Sequence, residues 1–302
     1  MRPKTEQTYH ERILRVLVYI QDHLSEAYSL DDLAALAHFS PYHFHRIFRG
    51  MVGESVKEHV RRLRLERAAQ QLRHTGEPIT RIAFEAGYET HEAFTRAFAA
   101  LFGAPPSQFR QTRRSPPRPA APSGVHYDPE QRLNSFHPFQ LGGPPMDVRI
   151  ESVPVLRVAF MRHTGPYDQV KGTWEKLMTW AGPRGLLGPH TRILAITHDD
   201  PELTPSGRIR YDACIEVDER FQPEGEVGVQ QVGGGQYAVA THQGPYRRVG
   251  ETFARLYGEW LPISGRELRS APAFVMARNP ANMDAEEPLT DVYLPLEDGP
   301  LD

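Results

Sequence analysis

Two stretches of this sequence, fifty residues apart, place an arginine midway between two phenylalanines. Residues 44–48 are Phe-His-Arg-Ile-Phe and residues 94–98 are Phe-Thr-Arg-Ala-Phe. Phenylalanines four residues apart lie on one face of a helix and form a buried stripe, so the arginine between them is directed to another face. A guanidinium carries a planar fork of N–H donors that bonds a guanine edge or a phosphate through two parallel hydrogen bonds. The pattern indicates two copies of a helix suited to hydrogen bonding with a nucleic acid.

Further polar side chains lie near the N-terminus of each helix, opposite the phenylalanines. Side chains at such positions reach base edges when a helix lies in the DNA major groove. The carboxylate of Glu92, for example, can accept from a cytosine amino group. The alternative is that these are ordinary solvated residues, and the duplication with matching arginines favours DNA contact. The residues predicted to contact DNA are Tyr42, His45, Arg46, Arg49, His91, Glu92, Thr95 and Arg96.

Each of these helices follows a shorter helix, with a small residue at its centre, and a tight turn. Residues 33–53 and 82–103 correspond at an offset of 49 before the turn and 50 after it. Ser40 and Thr90 stand at the N-cap, where a hydroxyl accepts from a backbone N–H of the first turn. The first half of the chain is therefore predicted to be all-α, with two helix-turn-helix units.

A long helix is predicted between the two units, over about residues 55–73. About 18 residues at ~1.5 Å each make a spacer of roughly 27 Å, which with its flanking turns approaches the ~34 Å of one DNA turn. Both units can then enter successive major grooves on one side of a duplex. The arginines predicted to contact phosphates are Arg61, Arg62, Arg64, Arg67, Arg110, Arg113 and Arg114.

Several positions of the two units fall on a known pattern. They are Ser40, Phe44, Arg46, Phe48, Gly53, Ile79, Ile82, Ala83, Gly87, Tyr88, Phe94, Arg96, Phe98, Gly103, Pro106, Phe109 and Arg110. Through them residues 9–114 resemble the DNA-binding domain of the AraC/XylS family of transcription regulators. The resemblance implies seven helices, two of which recognise bases, and a transcription-activating surface with RNA polymerase as the expected partner.

Charge and composition restrict the function classes. Residues 1–118 carry a net charge of +5 and the remainder −8, so only the first half is suited to a polyanion. The sequence has no apolar run long enough for a membrane helix and no signal-peptide core, and its one cysteine, Cys214, excludes an intrachain disulfide. It also has no nucleotide-binding loop, nucleophile elbow or metal-ligand cluster. We therefore expect a cytoplasmic protein with no cofactor, no metal and no membrane partner.

Eight prolines fall between residues 115 and 145, with few periodic apolar residues among them. This composition is typical of a linker or of an irregular connector that follows the surface. From Met146 onward short β-rich runs alternate with two helical stretches, which predicts an α+β domain. We expect a DNA-binding domain over residues 1–114, a Pro-rich linker over 115–145 and an α+β domain over 146–302.

The α+β half contains a duplication of its own. Residues 163–167, His-Thr-Gly-Pro-Tyr, recur as residues 242–246, His-Gln-Gly-Pro-Tyr, and the same offset of 79 carries residues 212–217 onto 291–296. One offset held without gaps over about 55 residues indicates a tandem duplication, each copy comprising strand, Gly-Pro turn, helix, strand and strand. The two copies are predicted to form one antiparallel sheet with both helices on one face.

Aromatic side chains are concentrated where the two copies would meet. Aromatic-lined clefts between such halves commonly bind small molecules. Burial in the core is the alternative for each residue, above all for Trp174, which lies on a buried helical stripe. The residues predicted to contact a small apolar or aromatic effector are Tyr167, Trp174, Tyr246, Phe274, Val275 and Tyr293.

Three motifs of this half match those of a second family. They are residues 162–167, 210–214 and 289–296. Through them residues 146–298 resemble the GyrI-like small-molecule-binding domain, which occurs in multidrug-sensing regulators. The resemblance implies that this half senses a small molecule.

At one site the sequence departs from that family. The resemblance implies a pocket glutamate where Val275 stands and a tyrosine where Ala277 stands. The glutamate holds a lipophilic cation, or acts as acid and base in relatives that hydrolyse small molecules. A neutral pocket is therefore expected here, unless Glu216 or Glu251 substitutes. The predicted function is a ligand-responsive transcription regulator without catalytic activity, and the alternatives are a DNA-tethered hydrolase of electrophilic molecules or a second domain that contacts another protein.

Overall fold

The computed structural model describes residues 4–27, 29–112, 118–199, 204–278 and 287–298. Contacts divide the chain into two units. The first unit comprises Met1–Gln140 with Tyr257–Ile263, and the second comprises Leu141–Leu256 with Ser264–Asp302. None of the helices in the described ranges is long and apolar enough to cross a membrane.

The described residues from 4 to 112 form seven helices, the number that the resemblance implies. They are α1 (Lys4–Asp22), α2 (Leu30–Leu36), α3 (Pro41–Val52), α4 (Val56–His74), α5 (Ile79–Glu85), α6 (His91–Phe102) and α7 (Pro106–Gln111). The spacer helix α4 begins and ends one residue later than predicted. Helices α3 and α6, the second helices of the two helix-turn-helix units, are called the reader helices below.

Both reader helices begin and end in the same way. The hydroxyls of Ser40 and Thr90 accept hydrogen bonds from backbone N–H groups of the first turn, at 3.4 and 3.1 Å, which confirms the predicted N-caps. Gly53 and Gly103 end the helices with φ of 82° and 74°, in the left-handed region that glycine adopts without strain. The two helix-turn-helix units therefore use the same local chemistry to fix the length of each reader helix.

The predicted apolar stripe of each reader helix is confirmed. Phe44 and Phe48 on α3, and Phe94 and Phe98 on α6, are fully buried. Within each pair the ring centroids lie 5.9 and 5.5 Å apart, in the tilted arrangement that aromatic rings favour. These stripes hold each helix against its own unit and leave its remaining faces to other contacts.

The Pro-rich segment follows the surface of the first unit instead of leaving it. Val125 and Phe136 are buried, and the Phe136 ring stacks on His10 of α1 with centroids 4.4 Å apart. The backbone N–H of Phe139 donates to the carbonyl of Met51 at 2.7 Å. Residues 121–139, called the strap below, are therefore an irregular packed part of the first unit, and the contacts of that unit extend to Gln140.

The second unit is an antiparallel sheet with helices on one side, as predicted. Its elements are β1 (Val148–Thr164), α8 (Val170–Ala181), β2 (Ile193–Thr197), β3 (Arg210–Glu216), β4 (Gly228–Gln243), α9 (Val249–Arg255), β5 (Phe274–Ala277) and β6 (Leu289–Pro295). The strand order β1-β3-β2-β5-β6-β4 closes into a barrel. Helix α8 packs on β1 and β3, and α9 packs on β4 and β6, so each copy places its helix on its own strands.

Alternation along the strands gives the barrel an inner face and a helix face. The inner face carries one apolar cluster of buried residues: Val153, Leu156, Val158, Leu194, Ile196, Cys214, Val232, Tyr237, Val239, Phe274 and Tyr293. Phe160 and Met276 are partly buried and pack against this cluster. The helix face includes Tyr211, whose hydroxyl accepts a hydrogen bond from the Trp174 indole of α8 at 3.0 Å.

The predicted gap-free offset of 79 is wrong in one strand pair. It equates Ile196 of β2 with Val275 of β5, but Ile196 pairs directly with Phe274. Residues that pair across antiparallel strands share a face, so Ile196 and Phe274 both lie on the inner face and Val275 lies on the helix face. The offset does hold for β3 and β6, where Asp212 and Asp291 occupy equivalent positions.

Candidate nucleic-acid interface and ligand-binding faces

The second reader helix, α6, presents its predicted polar residues outward. His91, Glu92 and Arg96 are exposed, and Thr95 is half-buried. The turn that precedes α6 contains Gly87 with φ of 83°, and a side chain there would place a Cβ 2.7 Å from the guanidinium of Arg64. The turn thus favours glycine for its left-handed backbone conformation. The outward face of α6 can supply a guanidinium, an imidazole and a carboxylate to base edges.

A cluster of rings fixes the position of α6. Phe98 lies 5.0 Å from Phe109 of α7 in an edge-to-face contact and 4.5 Å from Phe102. Tyr88 contacts Phe94 edge to face with ring centroids 5.6 Å apart. The buried cluster around Phe94 and Phe98 consists of aliphatic and aromatic residues, so the second helix-turn-helix unit holds its reader helix through an apolar core.

The first reader helix, α3, exposes less of its predicted polar face. Arg49 is exposed and Arg46 is half-buried, and nothing is described for the Tyr42 side chain. His45 was predicted to point outward, but only 1% of it is exposed. Position 45 lies three and seven residues before Phe48 and Val52, which are both fully buried, so it falls on the same buried side of the helix.

One stripe of α3 contacts the segment Tyr257–Ile263 of the first unit. His43 Nδ1 lies 3.3 Å from the Tyr257 hydroxyl, and the Arg46 guanidinium lies 5.9 Å from the centre of the Tyr257 ring. At Gly258 the main chains approach so closely that a Cβ would stand 2.2 Å from the Gly50 carbonyl oxygen. Residues 43, 46 and 50 share one helical face, so part of the predicted DNA-contacting face is occupied by protein.

The arginines predicted to contact phosphates have different environments. Arg61 is exposed. Arg64, Arg67 and Arg110 each donate to backbone carbonyls of the first unit, at 2.8, 2.8 and 2.5 Å. Arg113 and Arg114 lie outside the described residues. Four of the arginines predicted to contact phosphates therefore already donate hydrogen bonds within the first unit: Arg62, Arg64, Arg67 and Arg110.

The prediction for Arg62 is wrong, because this side chain is buried in an ionic network. Its guanidinium donates to Glu54 at 2.5 Å and to Glu66 at 2.8 Å. His59 Nδ1 lies 2.7 Å from Glu54, and burial lowers the pKa of this histidine. Burial alone would raise the pKa of Glu54, but the hydrogen bonds from His59 and Arg62 outweigh it and lower this pKa to about 2.

The same network fastens the strap to the spacer helix. Arg62 Nη1 also donates to the Val125 carbonyl at 2.9 Å. Glu66 accepts from the backbone N–H of Tyr127 at 2.8 Å and lies 3.1 Å from His126 Nδ1. Sequence reasoning missed these partners, although Arg62 and Glu66 stand at the i, i+4 spacing of a helical ion pair.

In the second unit, three of the predicted ligand contacts surround Tyr211 on the helix face. The Tyr211 hydroxyl lies 3.0 Å from the Trp174 indole nitrogen and 3.2 Å from the Tyr246 hydroxyl. The Tyr167 ring contacts Tyr211 edge to face at 5.9 Å, and its own hydroxyl donates to the Asp199 carbonyl at 2.7 Å. Burial raises the pKa of Tyr211 to about 12. Both copies of the duplication thus contribute to one hydrogen-bonded aromatic cluster.

The remaining predicted contacts lie elsewhere in the barrel. Phe274 and Tyr293 stack on the inner face with centroids 4.5 Å apart, and Tyr237 meets Phe274 edge to face at 5.3 Å. Val275 is buried on the helix face, one position away from Met276, which packs against the inner cluster. The six predicted residues therefore fall on two opposite faces of the sheet rather than around one cleft.

Each copy of the duplication buries an aspartate on the inner face. Asp291 accepts from Arg149 Nη2 and Thr241 Oγ1 at 2.7 Å each and from Arg278 Nε at 3.2 Å. The equivalent Asp212 accepts from Arg162 and other side chains described below. The sequence analysis predicted no role for either aspartate, although the offset of 79 aligns them.

The two glutamates considered as substitutes for the family's pocket carboxylate are both paired. Glu216 accepts from Arg192 at 3.0 Å near the end of β3. Glu251 is exposed on α9 and accepts from Arg248 at 2.9 Å. The hydrogen bond from Arg248 lowers the pKa of Glu251.

Comparisons with known proteins cover both units. Residues 146–297 match the GyrI-like small molecule binding domain, and residues 33–112 match a helix-turn-helix domain. The right origin-binding protein of Escherichia coli (strain K12) is 26% identical over 257 residues, which cover 82% of this chain and 83% of that protein. Transcriptional regulator Rob of Salmonella typhimurium is 25% identical over 260 residues, with the same coverage. The probable transcriptional regulator YgiV of Escherichia coli (strain K12) is 32% identical over 155 residues, 50% of this chain and 96% of that protein.

Proposed function

Because this chain belongs to the GyrI-like family and carries an AraC-type helix-turn-helix domain, we propose that it is a ligand-responsive transcription regulator. The reader helices α3 and α6 recognise a promoter site, and a small aromatic or apolar molecule bound by the second unit changes DNA binding or contact with RNA polymerase. Relatives that match most of the chain are named as a transcriptional regulator and an origin-binding protein, which supports regulation rather than hydrolysis.

The observation that carries the DNA-binding half is the identical construction of the two reader helices. Each is capped by a hydroxyl, holds two buried phenylalanines and bears an arginine at the same position, Arg46 or Arg96. A solvated surface has no physical need for such a repeat, whereas two successive major grooves do.

Roles for the proposed contacts follow from exposure. Arg96, His91 and Glu92 are exposed on α6 and are assigned to base edges, with Thr95 beside them. On α3 we assign base contacts to Arg49, which is exposed, to Arg46, which is half-buried, and to Tyr42 from its place in the sequence near the start of the helix. His45 is buried, and we assign it to positioning the helix.

The test of DNA recognition compares two exposed arginines. Arg96→Ala should cost about 1–3 kcal/mol of discrimination between the promoter site and random DNA, whereas Arg61→Ala should weaken both alike and reduce the salt dependence. Both quantities come from gel-shift titrations of the full chain at two salt concentrations. Equal losses on specific and random DNA for both variants would contradict the base-contact role of α6.

The test of ligand response uses the same full chain. A molecule that binds the native state raises the melting temperature by mass action, and naphthalene-type compounds of different charge serve as probes. DNase footprinting with and without a stabilising probe then shows whether binding alters promoter occupancy. Stabilisation without any change in the footprint or in transcription in vitro would show that the protein binds the probe but does not regulate transcription in response to it.

A further inference from the structure

On the inner face of the barrel, one ion pair buries its anion and exposes its cation. The Asp212 side chain is 0% exposed, whereas 41% of the Arg162 side chain is exposed. His198, the second partner of Asp212, is 20% exposed. A molecule that approaches this site therefore meets a guanidinium and an imidazole before it meets a carboxylate.

The carboxylate of Asp212 is already saturated with hydrogen bonds. It accepts from Arg162 Nε and Nη2 at 2.7 and 2.8 Å, from His198 Nε2 at 2.7 Å and from Gln230 Nε2 at 2.9 Å. These donors outweigh the effect of burial and hold the pKa of Asp212 well below its usual range, so the group stays ionised. It has no further capacity to attract a cation.

The Arg162 guanidinium, in contrast, has N–H donors that Asp212 does not use. Two of the three nitrogen atoms of the Arg162 guanidinium bond Asp212, and Nη1 donates to no partner within the described ranges. Nη1 carries two N–H donors, which suit a carboxylate ligand.

An apolar surface adjoins these donors. The Phe160 ring is half-buried, and the Arg162 guanidinium lies 5.4 Å from its centre. Phe160 pairs across β1 and β4 with Gly228, where a Cβ would stand 2.6 Å from the ring. A side chain at position 228 would displace the ring from this place. The site therefore combines an aromatic ring with the unused N–H donors of Arg162 Nη1.

We propose that this part of the inner face, formed by Phe160, Arg162 and His198, binds an aromatic carboxylate rather than a lipophilic cation. The inference rests on the proposed ligand-binding function and specifies its ligand class. A cation would face the exposed guanidinium and would reach Asp212 only by displacing Arg162, which costs the two charge-assisted hydrogen bonds between these side chains. A carboxylate bonds Nη1 without disturbing Asp212, while its ring packs beside Phe160.

The test is isothermal titration calorimetry of the full chain with three naphthalene probes that carry an anionic, a neutral and a cationic substituent: 2-naphthoate, 2-naphthamide and trimethyl(2-naphthyl)ammonium. We expect 2-naphthoate to bind at least about tenfold more tightly than the amide, as a charge-assisted hydrogen bond implies, and the ammonium to bind least. Equal affinities, or a preference for the ammonium, overturn the ligand class but leave ligand binding intact. Dissociation constants weaker than about 1 mM for all three overturn the site itself, and footprinting then tests the proposed function independently.

A matched pair of variants assigns the effect to Arg162. The double variant Arg162→Gln/Asp212→Asn removes the ion pair without leaving a buried charge, so it should fold and should lose the tenfold preference for 2-naphthoate while still binding 2-naphthamide. Arg184→Gln removes an exposed ion pair with Glu224 in the same unit and should leave all three affinities unchanged. Retention of the preference in a double variant whose thermal melting is cooperative would overturn the role of Arg162.

Discussion

The two reader helices have the same caps and the same buried phenylalanines, yet they expose different amounts of polar surface. On α6, His91, Glu92 and Arg96 are all exposed. On α3, Arg46 is half-buried against the Tyr257 ring and His45 is buried. Duplication has therefore preserved the caps and the buried phenylalanines of the two helices, whereas a contact with Tyr257, more than 200 residues away in the chain, limits the polar surface that α3 exposes.

The supports behind the two helices also differ in kind. Helix α6 is held by uncharged side chains such as Phe109 of α7, which meets Phe98 of α6 edge to face. Behind α3, Phe48 meets the edge of His59 at 5.8 Å, and His59 belongs to the ionic network around Arg62. Aromatic packing is insensitive to pH, whereas a buried ionic network depends on the ionisation of each member. Changes to the ionic network should therefore destabilise the region behind α3 and leave the apolar support of α6 intact.

Removal of the central cation should have the largest effect. Arg62→Ala leaves Glu54 and Glu66 buried with one strong partner fewer each, and the free energy of unfolding should fall by about 3–5 kcal/mol. Urea denaturation followed by circular dichroism gives this quantity. Arg61→Ala, at the exposed neighbouring position, is the matched control and should stay within about 0.5 kcal/mol of the wild type. Equal losses for the two variants would mean that the network does not brace the first unit.

Acid should have the next largest effect, through Glu54. The folded state lowers the pKa of this carboxyl from its ordinary 4.5 to about 2, so its contribution is fully present above pH 4.5 and is lost as the pH falls towards 2. The loss amounts to about 3 kcal/mol. The difference in unfolding free energy between wild type and Glu54→Gln, measured by urea titration, should shrink over this range. A difference that stays constant from pH 7 to pH 3 would contradict the prediction.

Local features of these units could be predicted because neighbouring residues determine them. A hydroxyl such as that of Ser40 or Thr90 caps whichever helix follows it, and Phe44 and Phe48 share a face wherever the helix lies. The helix-turn-helix pair, the all-α and α+β division and the antiparallel sheet follow from such features. The equivalence of Asp212 and Asp291 likewise follows from the offset of 79 residues between the two copies of the duplication.

Other features could not be predicted because they depend on pairing across the fold. A shift of one residue between β2 and β5 moves Val275 to the helix face and leaves Met276 on the inner face. The burial of Arg62 depends on the strap, which lies some 60 residues further along the chain. An arginine on a helix surface has the same sequence signature whether it contacts phosphate or a buried glutamate.

The smallest expected effect tests the contact between α3 and Tyr257 directly. Tyr257→Leu keeps a buried apolar side chain but removes the ring near Arg46 and the hydroxyl near His43. A cation–π contact contributes about 0.5–1 kcal/mol, so a released Arg46 should raise affinity for the promoter site roughly two- to fivefold in gel-shift titrations. The increase should vanish in the Arg46→Ala background and persist in the Arg96→Ala background, because Tyr257 contacts Arg46 and His43 of α3. An increase that survives Arg46→Ala would show that the ring restrains some other part of the first unit, and the difference between the two reader helices would then need another cause.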